Sequence, residues 1–342
     1  MQSLQIKGAQ GSSTLWVGER LENLSTHLNN RRTIVITDTN MADLYDPLFK
    51  PFPIIRIGIG EKIKTLDTLK SIYNQLVELK ADRSTLIVGI GGGIVCDITG
   101  FAASTFMRGV SFGFVASTLL AQVDASVGGK NGVNLGGYKN MIGVFNQPEF
   151  VICDVNLLKT LPKEELLCGM AEIVKHAAIS DENMFSFLEK KGQKALNLDL
   201  DVIERLVFNS IKIKADVVNR DEKERGERRL LNFGHTLGHA LEKTTGIPHG
   251  QAVSIGMRVA TEISVRKGML PETSAHRMKD LLLKLQLPIK PQGQRDDILA
   301  AIHKDKKREG AEIFFVLLKA LGRASVTPLS MEELEKLSQD LF

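Results

Sequence analysis

The stretch Thr85-Leu-Ile-Val-Gly-Ile-Gly-Gly-Gly-Ile-Val-Cys-Asp97 decides how the first half of the chain reads. Residues 85 to 89 are a short apolar run, and the glycines that follow end it. Ile98 to Phe106 then reads as a helix. A glycine turn that leaves a strand and opens a helix lets backbone N–H groups approach a pyrophosphate, with the helix N-terminus adding partial positive charge. Gly91, Gly92 and Gly93 are the residues placed for this. The spacing departs from the dinucleotide fingerprint, because Ile94 stands where its third glycine belongs. Taken alone, the stretch also fits a structural tight turn.

Outward from it, Thr33-Ile-Val-Ile-Thr37, Ile54-Ile-Arg-Ile57 and Gly113-Phe-Val-Ala116 read as further strands. Leu66 to Lys80 carries apolar residues at 66, 69, 72, 76 and 79 and reads as a helix. Such alternation predicts a largely parallel sheet with helices on its faces. Leu4-Gln-Ile-Lys7 and Thr14-Leu-Trp-Val17 read as an added strand pair. Asp38, at the end of a strand, suits either a ribose hydroxyl or a helix N-cap. After Val151-Ile-Cys-Asp154 long helical patterns dominate, and Phe314-Phe-Val-Leu-Leu318 is the one strand-like run. The expectation is therefore α/β plus α: a Rossmann-like nucleotide-binding domain over 1–161, then an all-helical metal- and substrate-binding domain over 162–342.

A length of 342 residues favours two domains, and 43% hydrophobic with 25% charged residues is the balance of a soluble globular enzyme. The net charge of +4 is spread without a basic tract, so neither nucleic acid nor a membrane surface is an expected partner. Cys96, Cys153 and Cys168 are too few and too scattered for a disulfide framework or a cysteine-ligated zinc site. With no signal-like N-terminus and no apolar run of spanning length, the expected location is the cytoplasm.

The chemistry concentrates in Arg228-Arg-Leu-Leu-Asn-Phe-Gly-His-Thr-Leu-Gly-His239. Written as one helix, it places Arg228, Asn232, His235 and His239 along a single stripe. That stripe offers a guanidinium for an anion, an amide for a hydroxyl or phosphate, and two imidazoles for a metal or a proton. A solvated helix face is the bland alternative. A zinc-protease reading fails because Thr236, not Glu, follows the first histidine. His249-Gly250 lies just beyond, and Glu172 and Lys175 lie on another helical stretch. Ser117 to Asn134 and Gly137 to Asn140 form a segment rich in Gly, Asn and Lys. Apolar neighbours there suggest that Asp124, Lys130, Lys139 and Asn140 are held inside, where lysines meet phosphate or carboxylate.

At these residues the chain closely resembles the 3-dehydroquinate synthases, within the sugar phosphate cyclases. The matching blocks are Gly60-Glu-Lys-Ile-Lys64, Gly91–Asp97, Met107-Arg-Gly109, Leu119–Lys130, Lys139-Asn-Met-Ile-Gly143, Leu158-Lys-Thr-Leu-Pro162, Ala171-Glu-Ile-Val-Lys175, Leu231–Thr236, His249-Gly250 and Asp305-Lys-Lys307. The resemblance implies Glu172, His235 and His249 as ligands of a divalent metal, zinc with cobalt as the alternative. It implies Lys130, Asn140, Lys175, Lys214, Arg228, Asn232, His239 and Lys306 as substrate contacts, and Arg108 as a phosphate contact made from the neighbouring subunit of a homodimer. On the NAD side it implies Asp38, Glu61, Lys64, Gly93, Asp97, Ser117, Thr118, Lys139, Thr160 and Glu165, beside Gly91, Gly92, Asp124 and Lys130. Cys96, Ser117, His176 and Gln251 depart from the family pattern, Gln251 standing in place of the Glu of His-Gly-Glu-Ala-Val.

The activity so implied is conversion of 3-deoxy-D-arabino-heptulosonate 7-phosphate into 3-dehydroquinate and phosphate, a lyase step of the shikimate pathway to chorismate and the aromatic amino acids. NAD is then catalytic, since the hydride taken from carbon five returns in the same turnover. A sibling cyclase acting on a sugar phosphate without a carboxylate is one alternative, which the positive charge of Lys214 and Arg228 disfavours. A metal-dependent NAD polyol dehydrogenase is another, disfavoured by the phosphate-binding set Arg108, Lys130, Asn140 and Lys306. A non-catalytic homologue is disfavoured because no ligand is lost.

Overall fold

The computed structural model describes residues 1–8, 11–291, 293–306 and 313–341, the side chains of 304–306 excepted. The contacts divide the chain into two units, Met1–Leu161 with Lys214–Glu222, and Pro162–Ile213 with Lys223–Phe342.

The first unit is built on strands β1 (Gln2–Gly8), β2 (Gly11–Val17), β3 (Thr33–Asp38), β4 (Ile54–Ile57), β5 (Leu86–Gly91), β6 (Phe112–Ala116), β7 (Lys130–Leu135), β8 (Tyr138–Phe145) and β9 (Phe150–Cys153). Seven form one sheet in the order β1-β2-β9-β6-β5-β3-β4, while β7 and β8 make a separate hairpin. Every neighbouring pair in the large sheet is parallel except β1 with β2. Helices cover both faces of such a sheet, so its strands carry apolar residues continuously instead of alternately. All six residues of β5 and all five of β6 are accordingly buried. The connecting helices are α1 (Thr39–Phe49), α2 (Leu66–Glu78) and α3 (Gly93–Thr105). On α2 the residues turned to the core are Leu69, Ile72 and Leu76, the three-and-four spacing of a helix with one wet face.

Two polar side chains fix this sheet. Thr37 donates from Oγ1 to the Ile90 carbonyl at 2.7 Å, joining β3 to β5. Gln122, with no exposed surface, donates to the carbonyls of Ala116 at 3.1 Å and Asp154 at 3.0 Å, stapling the ends of β6 and β9. The chain runs from β3 outward to β4 and then returns to β5 on the other side of β3. That reversal opens a crevice at the carboxyl ends of β3 and β5, where α/β sheets bind ligands. Asp38 and Gly91 end those two strands.

The second unit contains α4 (Lys163–Ser180), α5 (Glu182–Leu196), α6 (Leu200–Arg220), α7 (His235–Thr245), α8 (His249–Arg266), α9 (Glu272–Lys284), α10 (Arg295–Lys306) and α11 (Met331–Leu337), with the last turns of α6 grouping with the first unit. It is mainly helical, but the strands β10 (Ile313–Ala320) and β11 (Arg323–Leu329) pair antiparallel, so the all-helical expectation omits a hairpin. The run at 314–318 announces only β10. In β11 most residues are half-buried, and polar Arg323, Ser325 and Thr327 with Pro328 hide the strand signal.

Gly250 sets how closely α8 approaches α4. A Cβ there would lie 2.3 Å from the Cα of Cys168, a backbone atom that cannot step aside. Gly250→Ala therefore has to push the two helices apart. Overpacking of this kind costs about 1–3 kcal/mol, so the urea midpoint of the variant is expected to fall. An unchanged midpoint would mean that α8 can slide along α4 without loss.

Candidate active site

In the second unit the organising residue is Glu172, in the middle of α4 and without exposed surface. Helix α4 is buried from Cys168 to Ile179 because its residues face neighbours on all sides. A carboxylate there needs compensation. Lys175, one helical turn on and equally buried, makes an ion pair with its Oε2. The other oxygen, Oε1, lies 3.5 Å from His235 Nε2 and 3.3 Å from His249 Nε2. Burial alone raises the Glu172 carboxyl, but Lys175, His235 and His249 more than offset it and hold it well below the usual carboxylate range.

Both imidazoles are oriented from behind. His235 opens α7, and its Nδ1 lies 3.2 Å from the Phe233 carbonyl, to which it donates when protonated there. His249 opens α8, and its Nδ1 lies 3.3 Å from Glu242 Oε2 on α7. Each ring thus turns Nε2 toward the same carboxylate oxygen. Burial, then the Lys175 charge, push the His235 pKa well below its ordinary value, leaving the neutral imidazole that a metal requires. Burial also works against a charged His249, but its bonds to Glu172 and Glu242 prevail and raise it to about 10, so a bound metal has to displace that proton.

The donor set fits a divalent metal. The three ligand atoms lie within 4.8 Å of one another. Two ligands at about 2.0–2.2 Å from one tetrahedral centre sit about 3.3–3.6 Å apart, the spacing of Oε1 from each Nε2. One carboxylate and two imidazoles leave a position for a substrate oxygen.

The stripe around His235 differs from the single helix expected. Glu227–Asn232 is a 3-10 turn, and α7 begins only at His235, after Gly234 with φ 80°. A Cβ at Gly234 would lie 2.8 Å from the Val253 carbonyl oxygen and the Met257 nitrogen, so the passage of α8 breaks the helix here. His235 and His239 keep their common face, with ring centroids 5.3 Å apart, and His239 is exposed. Asn232 donates to Glu224 Oε1 at 2.7 Å. Arg228 is buried with 2% exposure, whereas the Arg229 guanidinium lies over the Phe314 ring, 4.5 Å from its centroid. Lys306 ends α10, and its side chain lies outside the described residues. Glu165 is exposed in the first turn of α4. A cavity of 440 Å³ lined by Arg229, Leu230, Phe314 and Pro328 holds none of the three metal-ligand candidates.

In the first unit Gly92 precedes α3 without a side-chain cap, so the first-turn N–H groups are available to an anion. Ser117 is buried and Thr118 half-buried at the end of β6. Asp38 Oδ1 accepts from the Met41 N–H at 2.9 Å, so it caps α1 from the rim of the crevice. Thr160 meets the Tyr45 hydroxyl at 3.0 Å. Lys64 is buried, makes an ion pair with Asp97, and donates to Asn140 Oδ1 at 2.5 Å. Lys214 donates to the Asp124 carbonyl at 2.6 Å and to its Oδ1 at 2.5 Å.

The expectation that Lys130, Lys139 and Asn140 are held inside is not met. All three are exposed, because they stand on the β7–β8 hairpin, whose second strand is mostly open to solvent. Arg108 is exposed too, on a turn with Met107 at φ 50°, Arg108 at 69° and Gly109 at 118°. Glu242, Gln122 and Asn134 escape a reading of the sequence. Only Glu242 carries a local signal, lying seven residues after His235 on the same helical face as His239.

Burial raises the Asp97 carboxyl from its ordinary 3.8 to about 6, against the pull of Lys64 and with the repulsion of Glu61 and Asp124. A folded value above the unfolded one means that the fold favours the protonated acid. The stabilisation is full below the unfolded value and is lost as pH rises through 6. Between about pH 4.5 and about pH 7.5 the unfolding free energy of the protein, relative to Asp97→Asn, is expected to fall by about 2 kcal/mol. Urea titrations of the two proteins across that range measure it, and a flat difference would mean that the pair with Lys64 outweighs burial.

A family model described as the 3-dehydroquinate synthase N-terminal domain matches residues 54–168, and one for the C-terminal domain matches residues 169–308. The chain is 46% identical over 277 residues to a 3-dehydroquinate synthase of Campylobacter concisus, covering 80% of this chain and 79% of that protein. It is 43% identical over 318 residues to that of Acetivibrio thermocellus, covering 89% and 88%. Among solved structures it resembles 2-deoxy-scyllo-inosose synthase complexed with carbaglucose-6-phosphate, NAD+ and Co2+, at 27% identity and TM-score 0.88 over all of both chains. Two family models that together run from residue 54 to 308, and relatives this similar over most of their length, place the chain in the 3-dehydroquinate synthase family of sugar phosphate cyclases.

Proposed function

We propose that this chain converts 3-deoxy-D-arabino-heptulosonate 7-phosphate into 3-dehydroquinate and phosphate, with NAD and a divalent metal as resident cofactors. The observation that carries the reading is the convergence of His235 Nε2 and His249 Nε2 on one oxygen of the buried Glu172, whose other oxygen faces Lys175. When bound, the metal supplies a Lewis acid for the vicinal hydroxyls, and NAD supplies a hydride acceptor that becomes the donor later in the turnover.

The chain's own groups then have separable tasks. Glu172, His235 and His249 hold the metal, while Lys175 neutralises the carboxylate oxygen turned away from it. The Gly91–Gly93 turn and the start of α3 receive the pyrophosphate, with Ser117 and Thr118 beside them, and Asp38 accepts from a ribose hydroxyl. Glu61, Lys64, Asp97, Asp124, Lys139, Thr160 and Glu165 complete the nucleotide side. Arg228 and Asn232 meet the substrate's carboxylate end, where a buried guanidinium can offer two parallel hydrogen bonds. Lys130, Asn140 and Lys306 meet its anionic oxygens, and Lys214 enters this set through its pair with Asp124. His239, exposed and next to His235, moves the hydroxyl proton. Arg108, presented outward by a left-handed turn, serves the site of a second copy in a homodimer. Three buried free cysteines fit a reducing, cytoplasmic setting.

The sibling-cyclase reading is weaker, because the relatives named 3-dehydroquinate synthase match at 46% and 43% identity and the inosose synthase at 27%. Incubation with the heptulosonate phosphate, zinc and substoichiometric NAD is expected to release many phosphates per NAD. One phosphate per NAD with accumulating NADH would establish a dehydrogenase instead.

Glu242 gives an independent test of the metal set. If it orients His249, Glu242→Ala weakens zinc binding by about 10–100-fold in competition with a chromophoric chelator. Wild-type affinity in that variant would remove Glu242 from the metal site.

A further inference from the structure

The β7–β8 hairpin is irregular at one place. Val133 pairs with Ile142 and Leu135 with Tyr138, so Asn134 alone on β7 stands opposite three residues of β8. The residues bulged out of β8 are Lys139 to Met141, and Asn140 takes the left-handed conformation, φ 52°. Outside regular pairing, the N–H of Asn140 needs an acceptor of another kind. Asn134 supplies it, its Oδ1 accepting from the Asn140 N–H at 2.8 Å. The same amide donates from Nδ2 to Glu61 Oε1 at 2.7 Å, and the Asn134 backbone N–H donates to the Lys64 carbonyl at 2.9 Å. Lys64 in turn reaches both Asp97 and the Asn140 side chain.

We propose that Asn134 is a positioning residue, whose side-chain amide stands in for a ladder partner and locks the Lys139–Asn140 bulge to Glu61 and Lys64. The amide group is suited to this because it combines an acceptor for Asn140 with a donor for Glu61 on two separate atoms. Aspartate keeps the acceptor but sets a second carboxylate against Glu61. Alanine removes both bonds. An asparagine held in the left-handed region costs less than most residues there, yet it stays at one angle only where its surroundings fix it. The lock joins residues assigned above to the nucleotide side with Asn140, assigned to the substrate side, and its part in the reaction rests on that assignment.

Hydrogen exchange on the ligand-free protein tests the lock without reference to turnover. In Asn134→Ala, peptides containing Asn140 and Met141 are expected to exchange at least about fivefold faster, with Asn134→Asp recovering most of the protection. Steady-state kinetics then test the consequence. The KM for the heptulosonate phosphate is expected to rise in Asn134→Ala, and the change to shrink markedly in a background already carrying Asn140→Ala. Unchanged exchange in Asn134→Ala overturns the proposal, as does a KM effect that is fully additive with Asn140→Ala. Faster exchange with unaltered kinetics upholds the lock and instead overturns the place given to Asn140 in substrate binding.

Discussion

The second unit depends on one electrostatic fact, a carboxylate carried to the middle of a buried helix. An unpaired charge at Glu172 would be prohibitively costly in that position. Its neighbours read as the answer: Lys175 on one oxygen, His235 and His249 on the other. Helix α8 can bring His249 there because Gly250 lets it lie against Cys168. The chain can deliver His235 because Gly234 turns left-handed beneath α8. A metal at this place would complete a charge arrangement that the packing has already prepared.

The first unit solves a different problem. A parallel sheet buried on both faces leaves few polar groups inside, and those few set the ends of strands. Thr37 and Gln122 tie the carboxyl ends of β3, β5, β6 and β9, where the crevice for a ligand opens. Beyond them Lys64 gathers Asp97 and Asn140, and Asn134 gathers Glu61 and the Asn140 backbone. Several groups in the matched blocks thus pair with one another at this end of the sheet.

The departures from the family pattern find ordinary surroundings. His176, buried on α4, has its Nδ1 2.5 Å from Ser210 Oγ. Cys96 is buried in α3, where burial pushes its thiol well above the ordinary value and keeps it an inert apolar filler. At Gln251, where the resemblance leads one to expect a carboxylate, none stands beside His249, but Glu242 on α7 faces that ring.

The sequence by itself determined the elements whose signal is local. Continuous apolar runs gave β3, β5 and β6, the period of α2 gave a helix, and the glycine turn after β5 marked the crevice, because strand burial and helix amphipathicity are written in neighbouring residues. It also supplied Glu172, His235 and His249 as a trio, through motifs matched to a family. Only the tertiary structure decided that the 228–239 stripe breaks at Gly234, since the cause is a helix passing from residues 249 to 266. Only it placed Lys130, Lys139 and Asn140 on an exposed hairpin, because apolar neighbours along a chain do not say which face of a strand is covered. The polar partners Gln122 and Asn134 belong to the same class, and Glu242, whose spacing puts it on the face of His235 and His239, still meets His249 only across two helices: a hydrogen bond is specified by where two groups meet in space.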